Sequence, residues 1–176
     1  MKKKLIASGF IVAATMHGVA VAADGTINFR GVITGAACSV VPSSQNMTVP
    51  LGIVSTNMLT APGAKSTPAE FRVQLVGCDL STATNAVIKF QGTPNEQEAG
   101  LLKVGVGSAS AATGVGVGIA DARSGGEIKL GDSASIKLAA GTTNLDFQAY
   151  YKVAAGVKAV TPGDANAVAQ FMITYN

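Results

Sequence analysis

The sequence predicts an all-β sandwich, and three observations carry that prediction. Apolar and polar residues alternate with the period of a strand in segment after segment; Gly, Pro, Asn and Asp punctuate those segments at short spacing; and helical periodicity is nearly absent, apart from a possible turn at residues 55–59.

The elements follow in order. Residues 26–33 (TINFRGVI) alternate, with Ile27, Phe29, Gly31 and Ile33 on one side and Asn28, Arg30, Val32 and Thr34 on the other. Short strands are expected at residues 38–41 and 47–51. Phe71, Val73 and Leu75 alternate with Arg72 and Gln74 and lead through Gly77 to Cys78, which sets that cysteine at a strand end. Ala86, Ile88 and Phe90 mark the next strand, closed by Gly92 and Pro94 as turn residues. Val115, Val117 and Ile119 alternate with Gly114, Gly116 and Gly118, giving a strand apolar on one face and bare on the other, set close to neighbouring backbone. Residues 128–130 and 136–138 are expected as two short strands about a Gly131-Asp132 turn. Leu145, Phe147, Ala149, Tyr151 and Val153 form a long alternating run, separated by Pro162-Gly163-Asp164 from a terminal strand at residues 167–176 (AVAQFMITYN). A half-buried strand at a chain end has no later strand to cover its outer edge, so it must be paired from the chain's own body or by another molecule.

The first residues read as a secretory signal. Lys2, Lys3 and Lys4 form the charged region, residues 5–14 the apolar stretch, and Ala20-Val21-Ala22 a small-x-small cleavage site, with cleavage after Ala23 also compatible. The expected division is 1–22 as signal, 23–34 as an N-terminal extension and 35–176 as one domain. About 150 residues remain after cleavage, enough for a single domain with a real core. No later segment is long and apolar enough to span a bilayer as a helix.

Charge and composition exclude several function classes. The three signal lysines account for the whole excess of 13 Lys+Arg over 10 Asp+Glu, so the mature chain is neutral and has no electrostatic case for nucleic acid or an anionic membrane. The single histidine, His17, leaves with the signal. Without it there is no histidine base, no Ser-His-Asp or Cys-His nucleophile and no His-containing zinc site. No cofactor or metal is expected. Cys38 and Cys78, the only cysteines of an exported chain, are expected to form a disulfide, and they lie too far apart for CxxC redox chemistry. The glycine-rich residues 104–118 (VGVGSASAATGVGVG) contain no GxGxxG and precede no helix, so they are not a phosphate loop. Asp121, Glu127, Asp132, Asp146 and Asp164 are scattered beside glycines and turns, and no spacing singles out a catalytic pair. The expectation is a protein that is not an enzyme.

Several motifs together resemble the type 1-like fimbrial subunits of the chaperone–usher class, and among these the major pilin. They are residues 23–31 (ADGTINFRG), Ala36-Ala37-Cys38-Ser39-Val40, Leu51-Gly52, Phe71-x-Val73-x-Leu75-x-x-Cys78, Phe147-x-Ala149-x-Tyr151 and an ending that runs from Gly163 to Ala167-x-Ala169-x-Phe171-x-Ile173-x-Tyr175. Their order spans essentially the whole mature chain. The resemblance implies an incomplete immunoglobulin-like sandwich that lacks its last strand and is completed by a donor strand from another subunit or a chaperone. It implies Ile27, Phe29, Gly31 and Ile33 as donor residues, with Gly31 at a constricted pocket. Phe171, Ile173 and Tyr175 become groove-wall residues, and the carboxylate of Asn176 becomes a chaperone contact. The implied partners are neighbouring pilin subunits in a homopolymer, a periplasmic chaperone and an outer-membrane usher, and the implied location is the fimbrium at the cell surface. A minor adaptor subunit and a monomeric exported adhesin-type module are the alternatives.

Overall fold

The computed structural model describes residues 25–176. The signal and its cleavage site, as read above, lie outside the described residues. The chain divides into two units, Met1–Thr34 and Gly35–Asn176.

In the first unit, residues 25–34 form neither strand nor helix. The alternation of Ile27, Phe29 and Ile33 is that of a strand, yet these side chains are between 78% and 103% exposed. An extended segment becomes a strand only through a hydrogen-bonded neighbour.

The second unit is a two-sheet sandwich. Its strands are β1 (Ser39–Val40), β2 (Ala69–Cys78), β3 (Asn85–Gly92), β4 (Leu102–Lys103), β5 (Val115–Asp121), β6 (Glu127–Ile128), β7 (Ser133–Lys137), β8 (Gly141–Val153) and β9 (Ala169–Tyr175). One sheet has the order β1-β2-β8-β5-β4, with β6 also pairing β5; the other has the order β7-β3-β9. All the strand pairs are antiparallel. Two helical turns interrupt them, α1 (Pro42–Gln45) and a 3-10 turn at Thr56–Met58, the latter within the segment expected to be helical.

Alternation decides what faces inward. In β2, Val73 and Leu75 are fully buried, while Arg72 and Gln74 face out and pair with their direct cross-strand neighbours Asp146 and Asn144 of β8. Leu145 and Phe147 enter the core from β8, and Ile88 and Phe90 meet them from β3. Phe71, Phe90 and Phe147 form an aromatic cluster with centroids 5.2–6.3 Å apart. The Cys38–Cys78 disulfide staples the chain leading into β1 to the end of β2.

The bare face expected for β5 is covered. A Cβ on Gly118 would lie 2.7 Å from the Tyr150 ring, and one on Gly116 2.7 Å from Leu101 Cβ, so each glycine makes room for a side chain laid across the sheet. The two short strands expected about Gly131-Asp132 do not form a hairpin. β6 pairs β5 in one sheet and β7 pairs β3 in the other, so the chain crosses between sheets at Gly131, whose φ is +90°. Ile128 and Ile136 therefore pack toward the same core from opposite layers.

Tyr150 belongs to an ionic cluster on the outer face of the larger sheet. Lys152 Nζ lies 2.7 Å from Glu98 and 3.0 Å from Glu127, the Tyr150 hydroxyl donates to Glu127 at 3.0 Å, and Lys65 sits 4.3 Å above the Tyr150 ring. Burial pushes the Glu127 carboxyl up, but hydrogen bonds from Lys152 and Tyr150 outweigh it and hold the group below the usual glutamate range. A carboxyl depressed by folding contributes stability above its unfolded pKa and loses it as the pH falls through the lower, folded one. Acid unfolding is therefore expected to steepen below about pH 4.5. Glu127→Gln should flatten that limb in denaturation curves taken between pH 3 and 6; an unchanged slope would show that the cluster does not contribute.

Candidate functional site

The terminal strand β9 pairs with β3 along one side only. The backbone of Asn176 exchanges both hydrogen bonds with Asn85, at 2.9 and 3.1 Å. Antiparallel ladders alternate bonded and non-bonded pairs. With the observed register, Thr174, Met172 and Gln170 turn their backbone groups toward β3, and Tyr175, Ile173, Phe171 and Ala169 turn theirs to the open edge.

Opposite that edge, residues 46–54 run extended after α1. Among the described residues their N–H and C=O groups make no backbone–backbone hydrogen bond. The strand expected at 47–51 does not form: Met47, Val49 and Leu51 pack against the core, but among the described residues no backbone ladder joins the segment to a neighbour. Gly52, at a φ of +70°, turns the chain off at its far end.

Between these two edges lies a groove of about 1270 Å³. Residues 46–52 form one wall and residues 165–171 the other. Its floor is the sandwich core itself, with Phe71, Val73, Phe90, Leu102, Val117 and Ile119 reaching up from both sheets. The cavity thus opens directly onto apolar side chains that a complete sandwich would cover.

The predicted wall residues are placed differently from one another. Phe171 lines the groove, while Ile173 and Tyr175 are half-buried, pack against the core and lie beyond the lining. The Tyr175 hydroxyl donates to the Cys38 carbonyl at 3.2 Å, pinning the end of β9 to the disulfide-bearing segment. Burial pushes its phenol further up from the ordinary tyrosine value. A main-chain oxygen of Asn176 accepts from the amides of Thr84 and Asn85, both at 2.9 Å. Sequence reasoning missed the Leu102 and Ile119 contributions to the floor and the Tyr151 hydroxyl, which donates to the Ala165 carbonyl at 3.1 Å and supports the second wall.

Among the described residues no group of three or more His, Cys, Asp or Glu could hold a metal ion, and no helix is long and apolar enough to cross a membrane. A second hollow, of about 480 Å³, is rimmed by Arg72, Arg123 and Asp146, with Asp146 paired to both arginines.

An immunoglobulin-like sandwich with an open, apolar groove along its terminal strand defines the class: a domain built to be completed by an added strand. The sequence pattern of the fimbrial protein family matches residues 27–176, and the chain belongs to that family. It is 38% identical to the type-1 fimbrial protein A chain of Escherichia coli, over 99% of this chain and all of that one. It is 40% identical to the long polar fimbria protein A of Salmonella typhimurium, over 99% and 97% of the two chains. A subunit in the solved structure of a chaperone–usher pilus superposes with a TM-score of 0.72 at 26% identity, over 88% of this chain and 96% of that one. The protein is a structural subunit of a surface fimbria.

Proposed function

We propose that the chain polymerises by donor-strand complementation, with residues 23–34 of one copy filling the groove of the next. Ile27, Phe29, Gly31 and Ile33 face the groove floor, and their backbone joins β9 on one side and residues 46–52 on the other. The single observation that carries this reading is the pair of unpaired backbone edges facing each other across an apolar groove. The donor is argued from the same chain: residues 26–33 alternate as a strand, belong to none of the strands of the described residues, and expose Ile27, Phe29 and Ile33.

Each large apolar side chain moved out of water contributes about 1.5–3 kcal/mol, so Ile27, Phe29 and Ile33 together supply several kcal/mol before the new ladder is counted. Gly31 adds no side chain, which suits the constricted pocket that the family resemblance implies. The contact joins two different surfaces, so repetition gives an open homopolymer rather than a closed ring.

Before assembly the groove needs another occupant. A periplasmic chaperone supplying a strand fits the apolar floor, and its basic residues fit the carboxylate of Asn176. Residues 1–22 act as the export signal, and an outer-membrane usher passes the subunit to the surface. The chain has no catalytic role in this reading. A synthetic peptide of residues 25–34 is expected to bind the full chain and raise its melting temperature by several degrees, whereas the same peptide with Phe29→Asp should not. Equal effects from both peptides would overturn the donor assignment.

A further inference from the structure

The second wall of the groove is held from behind. Residues 165–168 belong to no strand, yet they line the groove. What fixes them is a clasp between two loops, residues 105–112 and 161–166. The Gly105 amide donates to the Asn166 carbonyl at 2.8 Å, the Ala112 amide to the Asp164 carbonyl at 3.0 Å, and the Asp164 amide to the Ser110 carbonyl at 2.8 Å. The Ser108 hydroxyl closes the clasp by donating to Asp164 Oδ2 at 2.6 Å.

This contact accounts for the small residues of the low-complexity stretch. A Cβ on Gly163 would lie 2.4 Å from the Ser110 carbonyl oxygen, and one on Gly105 2.4 Å from Ala111 Cβ. The two loops approach backbone to backbone, and larger side chains would force them apart.

We propose that Asp164 and Ser108 are positioning residues for strand addition: their clasp sets the second wall of the groove before a donor arrives. Capture then carries no ordering cost for that wall, which is the general advantage of a pre-formed site. The inference rests on the donor-strand reading and adds to it the residues that prepare the groove.

The test follows capture of a fluorescently labelled peptide of residues 25–34 by the full chain, whose own N-terminal segment competes equally in every variant. Asp164→Ala and Ser108→Ala should each slow capture roughly fivefold to tenfold, the effect of losing one charge-assisted hydrogen bond at an exposed site. Asp164→Asn, which keeps an acceptor for Ser108, should stay within about twofold of the wild type. The clasp acts at one end of the groove, so one of two shortened peptides, residues 28–34 or residues 25–32, should lose its sensitivity to Asp164→Ala. Equal capture by the wild type and both alanine variants would overturn the proposal. So would equal slowing of all three peptides, because that is the signature of a general loss of stability. Failure of the wild type to capture any peptide would instead overturn the donor-strand reading itself.

Discussion

A chain lacking residues 23–34 is expected to form the same sandwich and to build no fibre by itself. The groove, its floor and both its walls lie within residues 40–171, so the acceptor survives the deletion. What is lost is the donor, with at least three apolar side chains worth about 1.5–3 kcal/mol each on burial and the backbone pairing that accompanies them. A loss of that size multiplies the subunit dissociation constant by more than about a thousandfold, enough to remove fibres from electron micrographs. The truncated chain still accepts a donor. Mixed with the intact chain, it should cap one end of growing fibres and shorten them in proportion to its share. Normal fibres from the truncated chain alone would refute the assignment.

Phe147→Ala has the second largest expected effect. Phe147 is fully buried and packs against Phe71 and Phe90 at centroid distances of 5.4 and 5.2 Å. Removing a buried aromatic ring costs about 3–5 kcal/mol, combining lost transfer energy with the cavity left behind. In a domain of this size that lowers the melting temperature by roughly 10 °C. The site is affected too, since Phe71 and Phe90 form part of the groove floor and rest on the ring that is removed. The variant should therefore bind a peptide of residues 25–34 more weakly as well as unfold more easily. A change below about 1 kcal/mol in denaturant unfolding would mean that the floor repacks without it.

Much of this was legible in the sequence because it depends on local alternation. The runs around Phe71–Leu75, Ala86–Phe90, Val115–Ile119 and Leu145–Val153 each kept one apolar face, and each became a strand. Elements too short to show a period were not legible: β4 has two residues, and α1 has four, begun by Pro42 at a first-turn position that proline suits. Residues 128–138 carry the alternation of two strands, but the turn between them joins two sheets rather than the arms of a hairpin. Period alone does not say which sheet a strand joins.

The groove divides in the same way. The alternation of β9 and the parity that turns Phe171 into the groove were legible. That Ile173 and Tyr175 pack beyond the lining could not be read, because it depends on where residues 46–52 pass, and that path is set by non-local contacts. The clasp at Asp164 was equally hidden. Gly, Ala and Ser in residues 105–112 carry no pattern of their own, and their smallness has meaning only against Gly163 and Asp164 on a distant loop.

The most direct test of the central claim is amide hydrogen exchange on the free chain and on the assembled fibre, resolved to single residues along β9. Phe171 and Ile173 turn their amides to the open edge, whereas Met172 and Thr174 bond to β3. In the free chain the first pair should exchange fast and the second slowly. In the fibre both pairs should be protected, together with amides of residues 46–52. Fast exchange at Phe171 and Ile173 in the fibre would contradict the account, because it would mean that no strand lies against that edge.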